Sequence, residues 1–382
     1  MIQGEKKSQG RLFALFSVAS VLFGWHAGGG FATGNQANQF FVISGWFGPI
    51  SALLAILLLT LTIRQAIVMY NQRGLGSYKE LLETLYHPLD KLEIIFEVYY
   101  YIMVLMATSS SIAGAGTLLE DAIQLPYALA ILIIGVVLVL LTMFGEGLVR
   151  KASSVMSILI LVCAVSIFVM GIAQKSGEIG QVFSGSTDWS QLPQGVLKSF
   201  QYAGFQCASI PTMIACGAVL KSRKEAAGSM WISFVMNTVA LCLSIFMLLG
   251  WQSFYTSVAN GTEIPTLTVC KEMGVTPLIW AYYICLFLCF VSTGVSAVFG
   301  VASRFEKLPA LEKRIPNASG RRVSIVLLVM IVSMGISLVG LTNIIKFGYG
   351  YCGYAGIVLV IIPFLTVGVY KNRKYAAQHG LK

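Results

Sequence analysis

The run Gly24-Trp25-His26-Ala27-Gly28-Gly29-Gly30-Phe31-Ala32-Thr33-Gly34-Asn35 sets an ionisable imidazole beside three consecutive glycines. It lies within the first long apolar stretch, residues 12–40, where a membrane helix would otherwise run unbroken. Each interior glycine weakens a helix by roughly 1 kcal/mol relative to alanine. Backbone broken at membrane depth is tolerated where it is buried in protein or lines a cavity. In transporters, such breaks free carbonyls and N–H groups to hold ions and solutes. The chemistry expected here is therefore binding, with Gly28, Gly29 and Gly30 offering backbone groups to a solute. Close helix packing is the competing explanation, since membrane helices are rich in glycine. The density of glycine, beyond what a packing motif needs, favours the break. His26 has two uses: protonated, it could bind a carboxylate or carry a coupling proton; neutral, it could hydrogen-bond the unwound backbone.

A second polar stretch, residues 198–211, contains Gln201, Tyr202, Gln206 and Ser209 inside another apolar segment. Such groups are costly at mid-membrane unless they face a partner or water. Gly204 permits local unwinding, and Pro211 removes one backbone hydrogen bond. A polar contact face between helices would explain the same residues. In a third stretch, Glu93, Glu97 and Tyr101 fall at i, i+4 and i+8, hence on one helix face. Glu93 reads as interfacial and structural. Glu97 either pairs with Lys151 or carries a coupling proton if burial raises its pKa. Tyr101 falls near mid-membrane. Lys198 reads as a side chain that extends toward the interface.

These groups must be positioned by membrane helices. Apolar residues make up 57% of the 382 positions and charged residues 11%, against roughly 25% charged in a soluble domain. Mean hydropathy is +0.79. Ten apolar segments are expected, at 12–40, 47–70, 92–119, 126–144, 148–173, 192–220, 226–250, 277–305, 323–341 and 344–370. The polar start runs into a retained first helix rather than a cleavable signal. With the N-terminus inside, all of the 26 Lys and Arg fall on the inner side except Lys175, Lys198, Lys271 and Lys346. That bias supports an even number of crossings with both termini cytoplasmic. The net charge of +10 then reports topology and contact with anionic inner lipids, not nucleic-acid binding. The eight cysteines lack metal-ligand spacing with His and read as apolar fillers. No nucleophile–base set or phosphate loop is visible, so an enzyme is not expected. No ring of pore charges suggests a channel.

The two polar breaks fall in segments one and six. Splitting after segment five gives halves 11–173 and 191–370 of one transmembrane domain. Five is odd, so the halves are inverted. Corresponding interrupted segments in two inverted halves are the best sequence pointer to a midplane site. The chain resembles the amino acid–polyamine–organocation superfamily, with the five-plus-five inverted repeat of the sodium-coupled leucine transporter. Gly24–Asn35 and the ten-helix layout look most like the YkvI-type bacterial membrane proteins. The fold this implies is all-α and polytopic, with helices one and six broken at mid-membrane. The eighth segment adds Ser292-Thr293-Gly294-Val295-Ser296, followed by Glu306. The resemblance places Ser292 and Thr293 as side-chain ligands of a sodium ion, with Gly24 and Ala27 as carbonyl donors. Ordinary hydroxyl bonding to helix carbonyls is the alternative. An inner gate would set Glu306 against Lys6, Lys7 or Arg11. The leucine transporter's outer arginine has no counterpart between Gly34 and Trp46.

The resemblance implies a sodium-coupled secondary transporter in a bacterial cell membrane, taking an amino acid or related amine or carboxylate. Gln201, Tyr202, Gln206 and Tyr101 are expected to line its cavity with the two breaks. Proton coupling on the same fold, or a non-transporting sensor similar to germinant-receptor subunits, would fit the same features. The expected partners are a small solute, sodium and the bilayer, with no obligate protein partner.

Overall fold

The computed structural model of the chain describes residues 2–26, 28–184, 189–305 and 309–380. Side chains are described for all of these except 2–10, 29, 145–158, 303 and 309–310. Within these bounds the chain is helical almost throughout. Where apolar runs are long enough, backbone groups must be satisfied within each segment, and helices do this.

Among the described residues, seven helices are long and apolar enough to cross a membrane. They include α4 (Gly48–Arg73, within the span Val42–Arg73), α6 (Glu93–Ile123) and α7 (Tyr127–Leu140). The others are α12 (Arg223–Ser257), α14 (Thr276–Phe305), α16 (Ala318–Ser337) and the continuous α17 (Leu341–Gln378). These match the expected segments two, three, four and seven to ten. The fifth is a bent pair, α8 (Glu146–Gln174) and α9 (Ser176–Ser184), which meet at 72°. The first and sixth segments are divided into shorter helices. The first comprises α1 (Ile2–His26), α2 (Gly29–Ala32) and α3 (Asn35–Phe40). The sixth comprises α10 (Leu192–Gln206) and α11 (Ile210–Gly217).

Loop chemistry fixes where the spans begin. α12 starts at Ser222, whose side chain accepts from Glu225 N–H at 3.1 Å. Glu225 in turn accepts from Lys221 N–H at 2.7 Å and pairs with Arg11 at 2.9 Å. This reciprocal cap satisfies N–H groups the helix cannot pair internally. It also engages Arg11, which is therefore not the free inner-gate residue expected. The short helix α5 (Tyr78–Tyr86) is capped in the same manner by Ser77, which accepts from Glu80 N–H at 3.2 Å. Lys79 of α5 pairs with Glu93 at 3.3 Å, so Glu93 is structural, as expected.

The sixth segment differs from expectation. Gly204 lies inside α10 in regular helix, and the interruption is one tighter 3-10 turn at Cys207–Ser209. A Cβ on Gly204 would collide with the Gly353 carbonyl, and one on Gly356 would collide with Gly204. Gly204 is therefore a packing glycine, set backbone to backbone against α17. The Tyr99 hydroxyl, from α6, donates to the Gly204 carbonyl at 2.7 Å, completing a three-helix contact.

Candidate solute and ion site

The first segment stops being α-helical at His26 and resumes at Gly29. The amides of Phe31 and Ala32 both return to the Gly28 carbonyl, at 3.0 and 3.1 Å, to make one helical turn. A second interruption follows at Gly34, whose φ of 80° favours glycine. The expected break over residues 25–31 is thus two interruptions bracketing a single turn.

The His26 side chain is buried, and its Nε2 lies 2.5 Å from the Tyr202 hydroxyl on α10. Tyr202 donates to Gln36 Oε1 of α3 at 3.3 Å. Gln206 also reaches the Tyr202 hydroxyl, and Asn237 of α12 faces the imidazole. Phe31 tilts against His26 at 5.0 Å between centroids, while Phe41 and Phe205 pack on Tyr202 at 4.8 and 4.9 Å. Sequence reasoning brought His26, Tyr202 and Gln206 together correctly. It missed Gln36 and Asn237. Their signal was available: an Asn-Gln pair directly after the break, and a lone Asn inside a long apolar helix.

This cluster is uncharged. Among the described residues, Glu93 and Arg321 are the charged side chains that are buried. Glu93 opens α6 and Arg321 lies in the first turn of α16, both at helix ends. A neutral polar network inside an aromatic shell can orient a solute by hydrogen bonds, with poorly matched solutes penalised by unpaired groups.

Other expected residues lie elsewhere. Glu97 forms its ion pair with Arg304 of α14 and accepts from Tyr78 at 3.1 Å. Lys151, the expected partner, lies outside the residues whose side chains are described. Arg304 also stands 5.9 Å over Tyr101, whose ring packs on Phe305 at 4.8 Å. Glu97 and Tyr101 do share one face, as their spacing requires. Their printed neighbours are Arg304 and Phe305 rather than His26 or Tyr202. Gln201 is buried and donates weakly to the Gly350 carbonyl at 3.4 Å, so it faces α17. Lys198 lies 5.2 Å over the Phe40 ring.

For the ion site, a Cβ built on Gly28 would stand 3.5 Å from the Trp25 carbonyl oxygen and 3.8 Å from Thr293 Oγ1. A freed carbonyl and a hydroxyl from α14 thus converge where no side chain intrudes. Neutral oxygens suit a hard monovalent cation. Ser292 Oγ instead donates to Cys289 O at 3.1 Å, within its own helix. Gly24 sits on an exposed stretch of α1 with open space around it, so the carbonyl beside Gly28 is that of Trp25. Ala27 and Glu306 lie outside the described residues. Among the described residues, no cluster of His, Cys, Asp and Glu could hold a transition metal.

Beyond α2, Asn35 ties three parts of the chain together. Its Nδ2 donates to Thr262 O at 2.9 Å, Glu263 O at 3.0 Å and Thr342 Oγ1 at 2.8 Å. The Glu263 carboxylate accepts from Thr342 N–H at 3.0 Å. Thr266 N–H, at the start of α13 (Pro265–Glu272), donates to Thr33 O at 3.0 Å. The far end of the first segment is thereby latched to α13 and to the start of α17.

No known protein-family profile matches the chain. Over 174 residues it is 28% identical to the uncharacterized membrane protein YkvI of Bacillus subtilis (strain 168). That alignment covers 45% of this chain and about half the length of the relative, 50%. The whole fold is similar to solved structures. The manganese transporter of Eremococcus coleocola superposes with a TM-score of 0.60 at 17% identity, covering 94% of this chain and 79% of that one. A Na+-coupled sialic acid symporter gives 0.57 at 14% identity over 91% and 85%. MhsT in complex with L-phenylalanine gives 0.57 at 13% identity over 88% of each. The chain is a multi-pass membrane protein with the fold of these structures.

Proposed function

We propose that the chain is a secondary active transporter of a small polar organic solute, an amino acid or a related amine or carboxylate, coupled to sodium. The observation that carries this reading is the interrupted first segment. One side of it meets a hydroxyl of α14 and the other a buried polar network on α10 and α12. The ion would take the carbonyl of Trp25 and the hydroxyl of Thr293. The solute would sit against His26, Tyr202 and Gln206. The architecture of this reading is ten crossings in two inverted halves, with both termini on the cytoplasmic side of a bacterial cell membrane. Similarity to proteins described as a Na+-coupled symporter and as an L-phenylalanine complex supports both halves of the reading. The uncharged centre argues for an organic solute over a divalent metal, which would need acidic ligands.

The test is a thermal-shift screen of solutes on purified protein in sodium against choline buffer. A ligand that binds the native state raises stability by mass action. We expect at least one solute to stabilise the protein, and more in sodium. Replacing both Ser292 and Thr293 by Ala should remove the sodium advantage, with Thr293→Ala alone giving most of the loss. Ser296→Ala, on the exposed face of α14, should leave it intact. An equal sodium response in the double variant and the parent protein would overturn the sodium assignment.

A further inference from the structure

The central network leaves two buried atoms without partners, and both are acceptors. Asn237 Nδ2 donates to the Ser233 carbonyl at 2.7 Å and to Ser233 Oγ at 3.0 Å. A carbonyl can only accept, so the amide nitrogen must point there and Oδ1 must point away. Oδ1 has no partner and the residue is wholly buried. The second atom is His26 Nδ1, which also lacks a partner. Tyr202 has one hydroxyl proton, donated to Gln36. Its oxygen is then left to accept from His26 Nε2–H. In neutral imidazole, that tautomer leaves Nδ1 as a bare acceptor. The Asn237 side chain faces this imidazole across the gap between α1 and α12. An unmade buried hydrogen bond costs roughly 1–3 kcal/mol per group. Two such groups facing one another mark a place for a donor.

We propose that His26 Nδ1 and Asn237 Oδ1 form an acceptor pair that receives the amino group of the transported solute. This rests on the solute-transporter reading above and narrows it to amine-bearing solutes. An amino or ammonium group offers two or three N–H donors from one atom, enough to satisfy both acceptors together. The Phe31 ring beside His26 supplies a π face suited to a cationic amine. A carboxylate meets the opposite: acceptor against acceptor, with no buried cation among the described residues of the cluster.

The probes are the twenty standard amino acids, the amine left when each loses its carboxylate, and the acid left when each loses its amino group. Each is tested by thermal shift in sodium buffer, and dissociation constants follow by titration. The expected result is stabilisation by amine-bearing members, with matched amine-free acids binding at least tenfold more weakly. Asn237→Leu should weaken the amine-bearing binders at least tenfold. If that variant does not fold, the comparison of matched probes on the parent protein decides alone. Acids that bind as tightly as their amino counterparts overturn the acceptor pair. So does equal loss of both classes in Asn237→Leu, since a merely structural Asn237 would act on both. Should none of these probes bind while solutes without an amine do, the pair is wrong and the transporter reading stands. If no solute of any kind binds, both fall.

Discussion

Removing the Asn35 amide should open the latched end of the molecule. Asn35→Ala deletes three hydrogen bonds, at 2.8 to 3.0 Å, from a wholly buried side chain. The net worth of each is about 0.5–1.5 kcal/mol, so the set contributes roughly 3 kcal/mol. The loss falls on the closed state alone, because Thr262 O, Glu263 O and Thr342 Oγ1 meet water once the end opens. Every 1.4 kcal/mol is tenfold, so the open population should rise on the order of 100-fold. Thr266 is a suitable reporter: buried, beside Gly34, with a hydroxyl that makes no hydrogen bond of its own. Thr266→Cys therefore perturbs little. Its modification by a maleimide, read by peptide mass spectrometry to separate it from the native cysteines, scales with the open population when opening is fast. Asn35→Ala in that background should accelerate labelling at least tenfold. A cysteine at the exposed Thr256 should label at the same rate in both. Labelling of Thr266→Cys within about twofold of the Asn35 parent would refute the latch.

Two further outcomes test the site and its surroundings. A Cβ on Gly30 would collide with the Gln36 amide. Gly30→Ala should therefore displace Gln36 from Tyr202 and cost about 1–2 kcal/mol in thermal unfolding; adding Gln36→Ala should bring little further loss, and strict additivity would argue against the collision. Outside the spans, Lys79 is held above its usual pKa by its bond to the Glu93 carboxylate and by that group's charge. The folded chain thus holds this proton more tightly than the unfolded one, so the contribution is complete below the ordinary lysine range and is lost as pH rises through the raised value. The Tm difference between Lys79→Met and the parent should be flat from about pH 6 to pH 9 and shrink above roughly pH 10.5; a difference that grows with rising pH would contradict the sign.

The apolar spans were legible in the sequence because hydropathy reports local composition, which is what a bilayer selects. The break near His26 was legible for a similar reason, since consecutive glycines act on the backbone where they stand. Gly204 was not. Local reading assigns an interior glycine to unwinding or to packing with no means of choosing. The choice was made by Gly353 and Gly356, which lie far along the chain and are brought alongside only by the fold. Glu97 was misassigned in the same way: its depth was readable from helical rise, but Arg304 reaches it from another helix. The face shared by Glu97 and Tyr101 followed from spacing, while what that face meets did not. The sodium hydroxyls were suggested by resemblance, and geometry separates them: Thr293 stands near the break, and Ser292 is engaged by its own helix.

The contact between Gly204 and the two glycines of α17 has a mechanical consequence. Interlocked side chains can hop between rotamers and let two helices slip past each other by a notch. Bare backbones in contact have no such teeth and no spare thickness. α10 and α17 are therefore riveted into a single plank, with Tyr99 as a third fastening from α6. When the hydrogen bond between His26 and Tyr202 is strained, α10 cannot yield by sliding along α17. The give must come from the first segment, whose two interruptions on either side of α2 act as paired joints in an otherwise stiff assembly.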